Sequence, residues 1–303
     1  MFTKTDDITD AAKTGVEPHI SVVERLASFK VIVIGLGGVG SWAAEALCRS
    51  GIGNLVLIDL DDICISNTNR QLHALSSTVG KMKIDEMKRR LEDINPQCNV
   101  TLVHDFISVE NVDEILSVYS GPRTVCLDAI DGSMAKSALL AACSAYQIPI
   151  VTCGGSAGRQ DPTRMVCDDL TRVSGDRLLS TCRRNLRKFY GFEEGKSFQE
   201  NKEGKATRKW NIKAVYSTEP PKSVPQGVNG SSLRRCDGAL GTACFVTGAA
   251  GFVAAGVVVH DIATNRLVPP IKPRKKQAIN AKNRTESRFG ETENNTTQAE
   301  LTA

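Results

Sequence analysis

Three glycines with the spacing G-x-G-x-x-G lie in the stretch "VIVIGLGGVGSWAAEALCRSGIGNLVLIDLDD", residues 31–62. Gly35, Gly37 and Gly40 follow an apolar run and precede a helix-like segment, so a phosphate can approach the backbone where the helix begins. Asp59 ends the next apolar run, where its carboxylate can accept hydrogen bonds from both hydroxyls of a ribose. The spacing therefore predicts a nucleotide site, and NAD, FAD and ATP all satisfy it.

The residues after Asp59 favour ATP over a dinucleotide. An NAD-binding domain usually turns straight into its next helix here. This chain instead has a polar segment that contains Asn67, Asn69, Arg70 and Gln71. Lys83 follows just inside a predicted helix N-terminus. Two cations beside one phosphate loop suit a triphosphate, because it carries more charge than a dinucleotide. The alternative is that Arg70 and Lys83 are ordinary surface side chains.

Two acids follow a later apolar run, in "CLDAIDGSMAK". Asp128 and Asp131 lie at the C-terminal end of a predicted strand, the edge at which open α/β sheets bind ligands. Asp131 is the favoured ligand for a Mg²⁺ ion held against the phosphates. Asp128 is equally well explained as a helix-cap or loop acid.

Strand-like and helix-like segments alternate through the first half of the chain. Strands are predicted at Lys30–Ile34, Asn54–Ile58, Asn99–Val103, Thr124–Leu127, Ile148–Thr152 and Ala214–Ser217. Helices are predicted from a Ser41 N-cap, over Lys81–Ile94, over Ser133–Tyr146 and over Asp176–Tyr190. Strands separated by single helices predict an α/β fold with a Rossmann-like, doubly wound, mainly parallel sheet and helices on both faces.

The predicted domain organisation has one folded unit between two tails. Residues 1–20 are expected to be flexible, residues 21–265 to form the ATP-binding domain, and residues 266–303 to be a disordered basic and polar tail. Residues 238–259 carry no charge and are long enough to cross a bilayer. Their many glycines and alanines favour a helix packed tightly on the sheet, so membrane association stays possible but is not favoured.

The chain has 303 residues, a net charge of only +4 and ten cysteines. The charge excludes a polycation, and no two cysteines form a C-x-x-C pair. A polar, acidic start with no secretory signal favours a reducing compartment. The expected location is the cytoplasm, with a mitochondrial or mitochondrial-membrane-associated protein as the alternative.

The motifs G-x-G-G-x-G, "IDLDD", "SNTNRQ", "VGKMK" and "DAID" together resemble the superfamily of ThiF-type and ubiquitin-activating adenylating enzymes. Its members bind ATP and transfer AMP onto a carboxylate. The resemblance implies a phosphate loop of Gly35, Gly37, Gly38 and Gly40, and ribose binding by Asp59. It implies further ATP contacts from Asp61, Asn67, Asn69, Arg70, Gln71 and Lys83. Arg70, Lys83 and Asp131 are the implied catalytic set, with Asp131 on Mg²⁺.

Longer stretches resemble one family within that superfamily, up to about residue 260. "GGVGSWAAEALCRSGIG", "SNTNRQLHAL", "INPQCNV", "VTCGGSAGRQDPT" and "VYSTEPP" are similar to the tRNA threonylcarbamoyladenosine dehydratases. These ligase-type enzymes use ATP to adenylate the threonyl carboxylate beside the anticodon, and the side chain then closes into a ring. The implied partners are tRNA carrying threonylcarbamoyladenosine, a second copy in a homodimer, and a possible sulfur-transfer protein.

Three other functions remain as alternatives. A ThiF-like activator of a small ubiquitin-like or sulfur-carrier protein usually carries two zinc-binding C-x-x-C pairs, which this chain lacks. An NAD(P)-dependent oxidoreductase leaves Arg70 and Lys83 unexplained. A scaffold without turnover has no reason to keep Arg70, Lys83 and Asp131.

Some of the basic clusters in the second half are predicted to face one side near the ATP site and contact tRNA phosphates, with solvated surface as the alternative. They are Arg183-Arg184-Arg187-Lys188, Lys202–Lys209 and Arg234-Arg235.

Two single residues correspond loosely to family positions. Arg25 is the only candidate for an N-terminal arginine that reaches a partner's ATP, and Cys236 is either structural or a functional thiol.

Overall fold

A seven-stranded sheet forms the centre of the protein. The computed structural model describes residues 20–193, 209–220, 222 and 241–273. The strands are β1 Lys30–Ile34, β2 Asn54–Ile58, β3 Asn99–Val103, β4 Thr124–Asp128, β5 Ile150–Cys153, β6 Met165–Asp169 and β7 Lys213–Ser217. Their order is β3-β2-β1-β4-β5-β7-β6, and every pairing is parallel except that of β6 with β7. The predicted doubly wound, mainly parallel sheet is confirmed.

Helices cover both faces of this sheet. They are α1 Val22–Ser28, α2 Gly40–Arg49, α3 Lys83–Ile94, α4 Val112–Tyr119, α5 Ser133–Tyr146, α6 Arg177–Tyr190 and α7 Cys244–Ala263. Alternate residues of β1 point to opposite faces. Val31 and Val33 pack with α1, α2, α3 and α7, whereas Ile32 and Ile34 pack with α4, α5 and α6. The continuous apolar strands are therefore buried on both sides, as parallel strands require.

Most predicted bounds agree with the structure to within two residues, but the expected cap of α2 is wrong. The helix begins at Gly40, and Val39 is its N-cap without a side-chain bond. Ser41 lies inside the first turn, where its hydroxyl donates to the carbonyl oxygen of Gly37 at 2.7 Å. The glycine loop runs directly into the helix, so no residue is left over to cap it.

Two features of the second half differ from the sequence prediction. Strand β6 was not predicted, because "MVCDD" at the sheet edge has no clear apolar alternation. The start of the supposed tail is ordered: the backbone N–H of Ile271 donates to Trp210 at 3.0 Å, and the side chain of Gln147 donates to Pro270 at 3.0 Å. Disorder was therefore the wrong prediction for residues 266–273. Residues 1–19 and 274–303 lie outside the described part of the chain.

From Cys244 onward the uncharged run lies in α7, a core helix. It is long and apolar enough to cross a membrane by length and composition alone. It packs on α2 so closely that a Cβ at Gly251 would lie 2.5 Å from the carbonyl oxygen of Val39. Ala254, Val258 and Ile262 are fully buried against the sheet. Small residues thus allow close helix packing, as the sequence predicted.

Candidate active site

The glycine loop joins β1 to α2 in a turn in which Gly35, Gly38 and Gly40 have little or no space for a side chain. Gly35 has φ +84°, and a Cβ at Gly40 would lie 1.8 Å from the carbonyl oxygen of Gly35. A Cβ at Gly38 would lie 3.1 Å from the side chain of Thr247 in α7. The loop leaves backbone N–H groups at the start of α2, the arrangement that binds phosphate.

Asp59 ties this loop to the end of β2. One carboxylate oxygen accepts from the backbone N–H of Leu36 at 2.6 Å, and the other accepts from that of Asp61 at 2.8 Å. The side chain is buried. A carboxylate offers about four lone-pair directions, so two remain for hydroxyl donors. Asp59 can therefore hold the loop and accept from a ribose together.

Lys83 is the first residue of α3, as predicted, and its side chain is buried. Its ammonium nitrogen lies 2.6 Å from the carboxylate of Asp61, and its backbone N–H donates to the carbonyl oxygen of Asp61 at 3.0 Å. An ammonium group has three protons, so the bond to Asp61 leaves two for phosphate oxygens.

The polar segment after β2 begins with a 3-10 turn over Ile65–Asn67. The amide oxygen of buried Asn67 accepts from the backbone N–H of Cys64 at 3.1 Å, which fixes the turn. Gln71 is also buried, and its side-chain oxygen has no hydrogen-bond partner. An unpaired buried polar atom is costly, which marks Gln71 as a place for a ligand or water contact.

Asn69 and Arg70 follow in the same segment, with Asn69 exposed and Arg70 half-buried. The guanidinium of Arg70 donates to the carbonyl oxygen of Ser66 at 2.8 Å and to the side chain of Asn69 at 3.0 Å. Asn69 in turn donates to the carbonyl oxygen of Thr242, just before α7, at 2.9 Å. The guanidinium is held by neutral acceptors, so its charge is available to an anion.

Burial separates the two acids of "DAID". Asp128 is fully buried, and its carboxylate accepts from Lys136 at 2.7 Å, from Thr152 at 2.6 Å and from the backbone N–H of Ile130 at 3.2 Å. These bonds occupy it as a structural group. Asp131, three residues further, is exposed and free to meet a ligand.

The Asp131 loop touches the glycine loop. The backbone N–H of Ala129 donates to the carbonyl oxygen of Ile34 at 2.9 Å, and a Cβ at Gly35 would lie 3.0 Å from Ile130. No cluster of three or more His, Cys, Asp or Glu suited to a metal occurs within the described residues. Mg²⁺ normally uses one or two carboxylates together with phosphates and water, so the single carboxylate of Asp131 fits that ion.

His73 is a buried histidine near Lys83 and Glu86. Burial and, second, the charge of Lys83 lower the pKa of His73 to about 4, while Glu86 opposes them. Neither ring nitrogen has a hydrogen-bond partner. His73 therefore adds no charge to the site.

The basic cluster on α6 divides into two pairs. The guanidinium of Arg183 donates to the carbonyl oxygens of Leu170 and Val173, and that of Arg187 lies 5.5 Å from the ring centre of Trp210. Both are occupied within the protein, which favours the other two residues of this cluster for contact with tRNA. Arg184 and Lys188 are exposed. Residues 202–208 and 234–236 lie outside the described part of the chain.

Arg25 is also occupied within the chain. Its guanidinium donates to the carbonyl oxygen of Ala263 at the end of α7, at 3.0 Å. That contact speaks against a role of Arg25 at a partner's nucleotide.

Sequence reasoning missed two residues that support the site. The indole N–H of Trp42 donates to the carbonyl oxygen of Arg70 at 3.0 Å, and the hydroxyl of Thr247 lies 3.4 Å from the same oxygen. Their types carry no sequence signal for such a contact, because each is also an ordinary helix residue. The nucleotide-binding residues that the sequence predicts lie at or just after the carboxyl edge of β1, β2 and β4.

Comparison with known proteins agrees with this geometry. The ThiF family model matches residues 12–289. The tRNA threonylcarbamoyladenosine dehydratase of Haemophilus influenzae is 42% identical over 240 residues, which covers 78% of this chain and 87% of that protein. The dehydratase of Bacillus subtilis is 33% identical over 258 residues, with coverage of 83% and 94%.

A solved structure extends the similarity to the fold. The crystal structure of Escherichia coli tRNA N6-threonylcarbamoyladenosine dehydratase in complex with AMP has a TM-score of 0.68 and 38% identity, and covers 80% of this chain and 90% of its own. The same E. coli enzyme has also been solved in complex with ATP, with a TM-score of 0.68 and 37% identity. Because the ThiF family model matches most of its length, the chain belongs to the ThiF family.

Proposed function

We propose that the protein is an ATP-dependent, adenylate-forming tRNA threonylcarbamoyladenosine dehydratase. The observation that carries the proposal is the grouping of the glycine loop, Asp59, Arg70, Lys83 and Asp131 at one sheet edge. It occurs in a chain 42% identical to a protein with that name. ATP is the nucleotide that uses both cations.

The first step joins the threonyl carboxylate to AMP. A carboxylate oxygen attacks the α-phosphorus of ATP, and pyrophosphate leaves. Negative charge grows on the phosphate oxygens, where Arg70 and Lys83 stabilise it. Mg²⁺, held by Asp131 when bound, supplies further positive charge to the phosphates. Asp59 fixes the ribose, with Gly35, Gly37, Gly38 and Gly40 around the phosphates. Asp61, Asn67, Asn69 and Gln71 complete the proposed ATP contacts.

The second step closes the ring. The carbamoyl oxygen of the same side chain attacks the activated acyl carbon, AMP leaves with the former carboxylate oxygen, and the carbamoyl N–H loses its proton to solvent. Both reacting groups belong to one side chain, which gives the step its proximity advantage. No thiol nucleophile is needed. Cys153, at the end of β5, is unsuited to that role because burial raises its pKa to about 12.

Exposed cations on α6 offer a path for tRNA toward this edge. Asp176 caps α6 and accepts from the backbone N–H of Gly155, which follows β5, at 2.9 Å. The helix therefore begins at the carboxyl edge of the sheet. Arg177, Arg184 and Lys188 are exposed at spacings of seven and four residues, so they share one face. We assign the phosphate contacts to this face.

A second copy of the chain fits the outer face of α7. Phe245 and Phe252 are 55% and 53% exposed and lie one heptad apart. A groove of about 570 Å³ continues this face beside β6, and its lining includes Val253, Val257 and Val268. An exposed apolar stripe of this kind is typical of a subunit interface. The homodimer is thus proposed along α7, which removes the stripe from water.

The cytoplasm is the proposed location. The relatives from Haemophilus influenzae and Bacillus subtilis are bacterial, so they give the mitochondrial alternative no support. A sulfur-transfer partner stays a prediction, since the proposed chemistry uses no sulfur. A carrier-protein activator remains the alternative function.

One experiment tests the function directly. The protein is incubated with ATP, Mg²⁺ and tRNA carrying threonylcarbamoyladenosine, and the nucleosides are analysed by mass spectrometry. The expected product has lost one water, with one AMP and one pyrophosphate formed per ring. Replacing ATP by NAD should give no product. Unchanged nucleoside, together with ATP–pyrophosphate exchange stimulated by a ubiquitin-like protein, would favour the activator.

A further inference from the structure

The main-chain carbonyl of Arg70 contacts two other elements. Trp42 of α2 donates to it through the indole N–H at 3.0 Å. The hydroxyl of Thr247 in α7 lies 3.4 Å from the same oxygen, and its one proton is shared with the carbonyl oxygens of Ala243 and Cys244 in its own helix, at 3.4 and 3.3 Å. The Arg70 side chain itself is half-buried, and among the described residues its guanidinium bonds only its sequence neighbours Ser66 and Asn69. The contacts of the main-chain carbonyl therefore fix the position from which the Arg70 side chain extends.

Trp42 is itself fixed by α7. The ring of Phe252 packs edge-on against the indole, with centroids 5.8 Å apart. A Cβ at Gly251 would lie 3.0 Å from the Cβ of Trp42, and one at Gly248 would lie 3.8 Å from the indole ring. The indole is thus clasped by small and aromatic residues of one helix face, which restricts its rotamers.

The start of α7 also touches the phosphate loop. A Cβ at Gly38 would lie only 3.1 Å from the side chain of Thr247. Asn69 donates to the carbonyl oxygen of Thr242, which lies just before the helix. The helix therefore contacts both parts of the nucleotide site, the loop and the Arg70 segment. The uncharged run therefore contributes to the nucleotide site as well as to the packing of the core.

We infer that Trp42 and Thr247 are positioning residues that hold Arg70 at the distance from the glycine loop that a triphosphate needs. The inference rests on the proposed ATP site. A shift of about 1 Å in a charged group can cost a large factor in rate or binding, so a fixed carbonyl has a direct functional use. Neither residue is expected to touch the nucleotide.

A double-mutant cycle on ATP affinity tests this. Calorimetry with ATP and Mg²⁺, without tRNA, compares the wild type with Trp42→Phe, Arg70→Gln and the double variant. Trp42→Phe keeps the ring and loses the N–H, so affinity should fall about three- to tenfold, the range for one hydrogen bond. In the Arg70→Gln background the same change should cost less than about twofold, because coupled residues are non-additive. Thr247→Val should behave like Trp42→Phe with a smaller loss.

Trp210→Phe is the matched control. It makes the same change at a tryptophan buried in the core on the opposite face of the sheet, and should leave ATP affinity unchanged. Equal losses from Trp42→Phe in both backgrounds would show that Trp42 acts through general stability and overturn the inference. Unchanged affinity in both Trp42→Phe and Thr247→Val would also overturn it. A wild type that binds no ATP would instead remove the proposed function.

Discussion

The ammonium group of Lys83 lies 2.6 Å from the carboxylate of Asp61, and the two side chains differ sharply in exposure, 6% against 51%. A buried cation is thus held by an acid at the rim of the site. Because Asp61 is half in water, the pair is screened, and a triphosphate can compete for the remaining protons of Lys83. The pair fixes the Lys83 side chain beside the end of β2, where Asp59 contacts the glycine loop.

Replacing Lys83 by Met should lower kcat/KM by at least about 100-fold, the cost of removing one charge-stabilising donor in a transition state. The fold should survive, since the methionine chain fills the same buried channel and Asp61 is open to solvent. Pyrophosphate release measures the rate. Lys81→Met, which removes an exposed lysine paired with Glu86, is the matched control and should stay near wild type.

Asparagine substitutions should separate Asp131 from Asp128. Asp131→Asn should nearly abolish turnover and leave the melting temperature unchanged, because the side chain is exposed. Asp128→Asn leaves the ammonium of Lys136 buried without its partner, a loss of about 3–5 kcal/mol in the free energy of unfolding. Thermal melts and ATP turnover of both variants are the measurements. If Asp128→Asn is stable but inactive and Asp131→Asn remains active, the roles assigned to the two acids are reversed.

This pair also shows where sequence reasoning ends. The strand, the glycine spacing and the position of both acids at one edge are local features, and all were predicted. Which acid is free depends on Lys136 eight residues later and on Thr152 in the neighbouring strand. Those bonds form only when β4, β5 and α5 assemble, and no spacing rule contains them.

The same reason explains the other differences. The order at Ile271 comes from its contact with Trp210, 61 residues earlier in the chain, and polar composition hides it. The division of the basic helix arises because Arg183 meets two carbonyls of the segment before α6. Helical periodicity predicts which residues share a face, but not which of them find partners.

His73 should make stability depend on pH between about 4 and 6.5. The unfolded chain binds a proton at His73 near pH 6.5, whereas burial lowers the pKa of the folded state to about 4. The unfolded state binds more protons in this window, so stability is complete above pH 6.5 and falls as the pH drops toward 4. The expected loss from this group is about 3 kcal/mol.

Urea unfolding of wild type and His73→Leu across this pH range measures the effect. Leucine suits a site in which neither ring nitrogen has a partner, so the variant should fold and show a flatter slope. An unchanged slope in His73→Leu would place the titration elsewhere.

Neutralising the exposed face of α6 should weaken tRNA binding and its salt dependence. Each lost phosphate contact lowers the slope of log K against log salt by about 1, so Arg177→Gln, Arg184→Gln and Lys188→Gln together should lower it by about 2–3. Arg123→Asn removes an exposed cation before β4, at the opposite sheet edge, and should have no effect. Filter binding over a salt series measures both. Identical slopes for the triple variant and wild type would move the tRNA path off α6.

Gly256→Arg should convert the proposed dimer into a monomer. Gly256 is exposed on the outer face of α7, and a Cβ there meets nothing within 4 Å, so the folded subunit has room for the side chain. Arginine also favours a helix by about 0.5–1 kcal/mol over glycine, so stability of the subunit should hold or rise. A second copy packed on the stripe of Phe252 and Val257 would instead meet a long cation in an apolar interface, which costs far more than the helix gain.

Light scattering at micromolar concentration should give the dimer mass for wild type and the monomer mass for the variant. Ser117→Arg, at an exposed position on α4, is the control and should remain dimeric. If Gly256→Arg keeps the dimer mass, the interface lies on another face, and a monomeric wild type would refute the dimer itself.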